Sequence, residues 1–142
     1  MEKNPLELEK DYPYKGVNGH KKCLVESSKQ VVTIDSYVKV VPKKIDQLKA
    51  SIALGPTCVG VDSSARAWTT YLHGIFNPLK CGTDLDHAIT AVGYGKEGEK
   101  EYFILRNSWS EYWGEKGYMR MAVGKDGDGV CGVLMDSSRP TF

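Results

Sequence analysis

The sequence predicts an α+β fold, and three observations carry that prediction. One segment, Lys43 to Leu54, places Ile45, Leu48 and Ile52 on a single helical face. After it come several short runs with strand character, separated by turn residues. The one clear helix sits before the β-rich remainder of the chain.

Taken in order, Leu6 to Lys10 reads as the end of a short helix, and Asp11-Tyr12-Pro13-Tyr14-Lys15-Gly16 as an irregular segment, because proline disfavours helix in the residue before it. Val31 to Val41 alternates and is rich in β-branched residues, so it reads as a strand. Gly55-Pro56 stops the helix that ends at Leu54. Thr57 to Asp62 reads as a short apolar strand and Ala65 to Leu72 as a brief helix. Ala88 to Tyr94 and Glu101 to Arg106 read as two strands joined through the charged turn Lys96 to Lys100. Tyr118 to Val123 alternates again, and Asp126-Gly127-Asp128-Gly129 is a turn. Short turns at this spacing suggest an antiparallel barrel or sandwich.

Composition narrows the function. The 142 residues are 41% hydrophobic and 26% charged, within the range of a chain that packs a core. A formal net charge of +1 gives no reason to expect nucleic acid or an anionic membrane as partner. No apolar run approaches the roughly 20 residues that span a bilayer. Met1 opens a charged stretch, Glu2 to Asp11, without the apolar core of a secretory signal. The four cysteines, Cys23, Cys58, Cys81 and Cys131, are widely spaced with no C-x-x-C pair, so neither a zinc site nor any other cofactor is expected.

Among the three histidines, His87 has the setting of a general base. It heads an apolar strand just after Asp84, Leu85 and Asp86, and imidazole titrates near neutrality. The plain alternative is a satisfied surface or core histidine; His20 and His73 are read that way. Asn107-Ser108-Trp109 follows the strand expected to pair with the one led by His87. Hairpin pairing would bring the Asn107 amide oxygen toward the imidazole, where it can fix the ring and its tautomer. Trp109 would shield that bond from water. The competing reading is packing and turn residues at a strand end.

These stretches resemble a known family. Asp86-His87-Ala88-Ile89 with Val92-Gly93-Tyr94-Gly95 looks like the histidine motif of papain and the cathepsins. Arg106-Asn107-Ser108-Trp109, with Trp113-Gly114-Glu115-Lys116-Gly117-Tyr118, looks like their asparagine motif. Tyr12-Pro13-Tyr14, Gly55-Pro56 and the stretch from Cys131-Gly132 to Pro140-Thr141 are similar too. The resemblance covers nearly the whole chain and implies an incomplete papain-like cysteine proteinase fold. Residues 1–41 would be the tail of the helical lobe, and 42–142 the antiparallel, barrel-like lobe carrying the histidine and asparagine.

The resemblance also implies roles. His87 would be the general base and acid of a Cys-His-Asn site, Asn107 its orienting group and Trp109 the shield. Cys81 and Cys131 would form a disulfide; Cys23 would pair with the other half of the fold, and Cys58 would be a buried thiol. Gly60, Leu85 and Ala88 would wall the pocket for the second substrate residue before the cut, with Asp86 beside them in the substrate-binding set. Asp136 would form its floor and favour arginine there, an outward-turned, solvated Asp136 being the alternative. Peptide or protein substrates follow, in a lysosomal, vacuolar or secreted setting.

Two departures stand out. Ser110 occupies the position where the family usually has glycine, which would strain a left-handed backbone. The nucleophile is the larger one. A C-G-S-C-W-like motif belongs roughly 130–150 residues before the histidine and asparagine, yet only 86 residues precede His87 and none of them forms it. The oxyanion-hole glutamine is missing as well. Three readings follow: a portion of a working cysteine endopeptidase with Met1 an internal methionine, an inactive binding or regulatory module, or one chain of a two-chain enzyme.

Overall fold

The computed structural model describes residues 5–17 and 23–142; His20 lies outside them. The chain divides into two compact units, one of Met1–Tyr37 with Pro140–Phe142, the other of Val38–Arg139.

In the first unit, β1 (Leu6–Glu7) pairs antiparallel with β2 (Gln30–Val32), Leu6 opposite Val32. The helix end expected at Leu6 to Lys10 is therefore a strand and a turn. The Asp11 and Tyr12 amides both donate to the Leu8 carbonyl, at 2.9 and 3.0 Å, and so few residues cannot repay helix nucleation. The strand expected over Val31 to Val41 is two strands, because the chain leaves the ladder between β2 and β3 (Ser36–Lys39).

In the second unit, α1 (Ile45–Leu54) buries Leu48 and Ile52, with Ile45 partly buried, as its periodicity predicts. Its first amide is capped from far along the chain: Ile45 N–H donates to Asp126 Oδ1 at 3.0 Å. Gly55, at φ 154°, ends it. Then follow β4 (Thr57–Val61), α2 (Arg66–Thr69), β5 (Ile75–Phe76), β6 (His87–Glu97), β7 (Lys100–Arg106), β8 (Tyr118–Ala122) and β9 (Ser137–Thr141), of which residues 137–139 belong to this unit. The larger sheet runs β3-β9-β4-β6-β7-β8-β5. Its described pairings are antiparallel except β5 with β8, a parallel pair that the expectation of an antiparallel lobe did not include.

The core lies on one face of that sheet. Val59, Val61, Trp68, Phe103, Leu105, Met119 and Met121 are fully buried there. Strand alternation explains the one burial that differs from expectation. Thr57, Val59 and Val61 point inward, so Cys58 lies on the opposite face, and its thiol is exposed rather than buried.

Candidate active site

The β6–β7 hairpin builds the site. Its register pairs Thr90 with Arg106. One step further sets Asn107 opposite Ile89, which makes it the diagonal neighbour of His87 on the same face. The Asn107 N–H donates to the Gly117 carbonyl at 2.9 Å, which fixes the chain as it leaves the ladder.

His87 Nε2 lies 2.9 Å from Asn107 Oδ1. The Ser108 N–H donates to that same oxygen at 2.7 Å, so the oxygen, not the amide nitrogen, faces the ring. An amide oxygen only accepts, so Nε2 carries the proton of this bond and Nδ1 is the nitrogen left for chemistry. Asn107 is only 8% exposed, whereas His87 is half-buried. The amide is thus more protected from water than the imidazole it holds.

Two indoles pack against the imidazole and a third packs behind them. Trp109 lies 5.2 Å from it between ring centroids, tilted by 31°. Trp68 meets it edge-on at 6.5 Å. Trp113 closes the circuit, 5.6 Å from Trp109 and 6.2 Å from Trp68, and its indole N–H donates to the Trp68 carbonyl at 3.0 Å. The sequence reading found Trp109 but neither Trp68 nor Trp113. Trp113 stands in a motif already noticed, but Trp68 comes from a short helix whose sequence gives no hint of its neighbour.

A charged network centred on Arg120 of β8 reaches from Glu115 to Glu97, at the turn end of the hairpin. Arg120 donates from Nη2 and Nε to Glu115, at 2.8 and 3.0 Å, and from Nη1 to Glu97 at 2.5 Å. These bonds hold the Glu115 carboxyl below its usual range and push the guanidinium higher still. Glu115 also accepts the Gly74 N–H at 2.8 Å. Tyr71, whose phenol is pushed up by burial, donates to the Gly74 carbonyl at 2.7 Å.

The residues expected to wall a substrate pocket are also neighbours. Gly60 pairs with Ala88 across β4 and β6. A Cβ on Gly60 would stand 3.0 Å from Leu85 Cδ1, and the Gly60 N–H donates to the Asp136 carbonyl at 2.9 Å. The Asp136 carboxylate itself is 60% exposed and lies 2.5 Å from Lys39 Nζ. Asp86 accepts the Ser63 N–H and hydroxyl at 2.8 and 3.0 Å. Cys81 and Cys131 are bridged, with Cα atoms 5.0 Å apart, while Cys23 and Cys58 are free, exposed thiols. Ser110 adopts φ 69°, the left-handed conformation that a serine in place of the family's glycine would find strained. Among the described residues no acidic, histidine or cysteine cluster is placed to hold a metal, and no helix is long and apolar enough to cross a membrane.

Comparison with known proteins agrees with this fold. The family described as papain family cysteine protease matches residues 1–141. Cysteine proteinase COT44 of Brassica napus is 45% identical over 141 residues, which is 99% of this chain and 42% of that protein. Cysteine proteinase RD21A of Arabidopsis thaliana is 44% identical over 136 residues, 95% of this chain and 29% of that one. The bromelain protease from Ananas comosus, solved with the E64 inhibitor, superimposes with a TM-score of 0.86 at 34% identity, covering 97% of this chain and 63% of that one. The proform of the ragweed pollen allergen Amb a 11 gives 0.89 at 32% identity, covering 97% and 42%. The chain belongs to the papain family of cysteine proteases and has a partial papain-like fold. It spans less than half the length of the two plant relatives it matches.

Proposed function

We propose that this chain is the C-terminal portion of a papain-like cysteine endopeptidase, supplying the base of a Cys-His-Asn site whose nucleophile lies outside these 142 residues. The observation that carries the reading is the bond from His87 Nε2 to Asn107 Oδ1, 2.9 Å long, with the Trp109 and Trp68 indoles against the imidazole. It leaves Nδ1 to take a proton from a thiol and to return it to a leaving amine. Asn107 holds the tautomer, and Trp109 keeps water from the bond. An inactive module has no chemical use for that arrangement.

On this reading the partner is the rest of the same fold, and the substrate is a peptide or protein in a vacuolar, lysosomal or secreted setting. The pocket walled by Gly60, Leu85 and Ala88, with Asp86 nearby, takes the second residue before the cut. Arginine there depends on Asp136, for which Lys39 competes. Lys39→Ala should therefore raise the arginine-to-phenylalanine preference and Asp136→Ala lower it.

Without a nucleophile beside His87, acyl transfer does not start. The chain alone is expected to resist a peptide epoxide directed at thiols. Peptide-dependent labelling of Cys23 or Cys58 would refute that. Sequencing the transcript ahead of Met1 tests the reading itself: an in-frame C-G-S-C-W-like motif is expected, and an in-frame stop directly before Met1 would overturn the portion reading.

A further inference from the structure

The loop that delivers His87 is fastened by a carboxylate that the His-Asn pair does not use. Asp62, at the end of β4, is only 3% exposed. Its Oδ1 accepts the Ser64 hydroxyl at 2.6 Å and the Ser64 N–H at 3.0 Å. Its Oδ2 accepts the Asp84 N–H at 3.2 Å, 22 residues away along the chain. The same residue's backbone joins in: its N–H donates to the Cys131 carbonyl at 2.8 Å, and its carbonyl lies 3.6 Å from Cys81 Sγ. A buried carboxylate with this many donors is held charged, and its pKa is lowered, first by the Ser64 hydroxyl.

Both ends of the loop are therefore tied to the Asp62–Ser64 turn. At one end, the Cys81–Cys131 disulfide and Gly82 press against Asp62, whose Oδ2 is the nearest atom to any Cβ placed on Gly82. At the other end, Asp86 N–H donates to the Val61 carbonyl at 3.1 Å, and Asp86 Oδ1 takes both donors of Ser63. His87 is the next residue. It lies opposite Val61 of β4, the residue before Asp62, so a shift of this turn reaches it directly, and the bond to Asn107 tolerates only a few tenths of an ångström.

We propose that Asp62 is a positioning residue: by anchoring the Asp84 amide to the Ser64 turn, it sets where His87 enters β6 and so keeps Nε2 on the Asn107 oxygen. The reactive meaning of that placement rests on the peptidase reading above; the placement itself does not. Asp62→Asn is the informative variant, because its amide group presents donors to a site built of donors. Asp62→Glu keeps the charge.

The test has two readouts on variants folded at the temperature of measurement. One is the long-range proton–nitrogen spectrum of the His87 imidazole in the 142-residue chain. The other is kcat and KM of the chain joined to the helical lobe of a papain-family relative. Wild type should show a fixed Nε2–H tautomer. Asp62→Asn should lose it, and kcat should fall by about tenfold or more with KM changed less than about threefold, as displacement of a reacting group predicts. Asp62→Glu should recover part of both. If Asp62→Asn does not fold, Gly82→Ala serves in its place, since its methyl displaces the carboxylate without removing it. An unchanged tautomer and kcat in a folded variant, with only thermal stability reduced, would overturn the proposal. If the joined wild type is inactive, the peptidase reading fails, while the imidazole spectrum still decides the role of Asp62.

Discussion

Two aspartates in this molecule do the same chemistry in different surroundings. Asp62 caps the Ser64 and Asp84 amides from a site 3% exposed, and Asp126 caps the first amide of α1 from a side chain 52% exposed. Asp126 also pairs with Lys44 at 3.0 Å, beside a second exposed pair of Lys43 with Asp128 at 2.8 Å. Water competes for every bond at the second site and for almost none at the first. Removing a buried acceptor strands its donors, whereas an exposed one is replaced by solvent. Burial, not the count of contacts, decides which junction the fold depends on.

The largest effect should come from the disulfide that backs the buried junction. Cys81→Ser with Cys131→Ser opens a loop of 50 residues and should cost about 2–4 kcal/mol in chemical denaturation. Amides near Asp62 should exchange faster, and those near Asp126 should not; equal loss at both junctions would break the comparison. Next in size, Asp62→Asn should lower the melting temperature more than Asp126→Asn. The reverse order would show that the exposed cap carries more than its solvent exposure allows. Added salt should weaken the Asp126 junction selectively, because exposed pairs are screened.

Acid sharpens the contrast. Asp62, Glu115 and Asp126 are all held below the ordinary carboxylate range, by Ser64, by Arg120 and by the Ile45 amide in turn. A depressed folded pKa contributes stability that is present above the unfolded value and is lost as pH falls through the folded one. The melting temperature should therefore be level above about pH 5 and fall below about pH 4. A steady rise in stability through that acid window would contradict these assignments. The smallest expected effect is at Ser110. Ser110→Gly relieves the φ of 69°, loses the 3.3 Å bond from the Tyr112 amide, and should stabilise by up to about 1 kcal/mol. A lower melting temperature would mean that the hydroxyl matters more than the strain.

Much of the site was legible in the sequence because a hairpin is local. His87 and Asn107 are 20 residues apart on two strands joined by a short turn, so their meeting follows from pairing alone. α1 was legible for the same reason: Leu48 and Ile52 are one helical turn apart. Cys58 was misread because its run looks uniformly apolar, while alternation sends Thr57 and Val59 to the core and Cys58 to the other face. Asp62 was missed because its distant partner is a backbone amide, which has no residue type to recognise. Trp68 was missed because the helix that delivers it to His87 is a single turn.

On the proposed function, His87, oriented by Asn107, is the base of a peptidase site completed by sequence outside this chain. The most direct measurement is peptide hydrolysis by the 142 residues joined to the helical lobe of a papain-family relative, with His87→Ala and Asn107→Ala alongside. The joined protein should turn over peptide, His87→Ala should lose that turnover by about a thousandfold or more, and Asn107→Ala should lose less, in keeping with general-base catalysis and its orienting group. Turnover indifferent to His87, or a folded joined protein with an accessible thiol and no turnover, would contradict it.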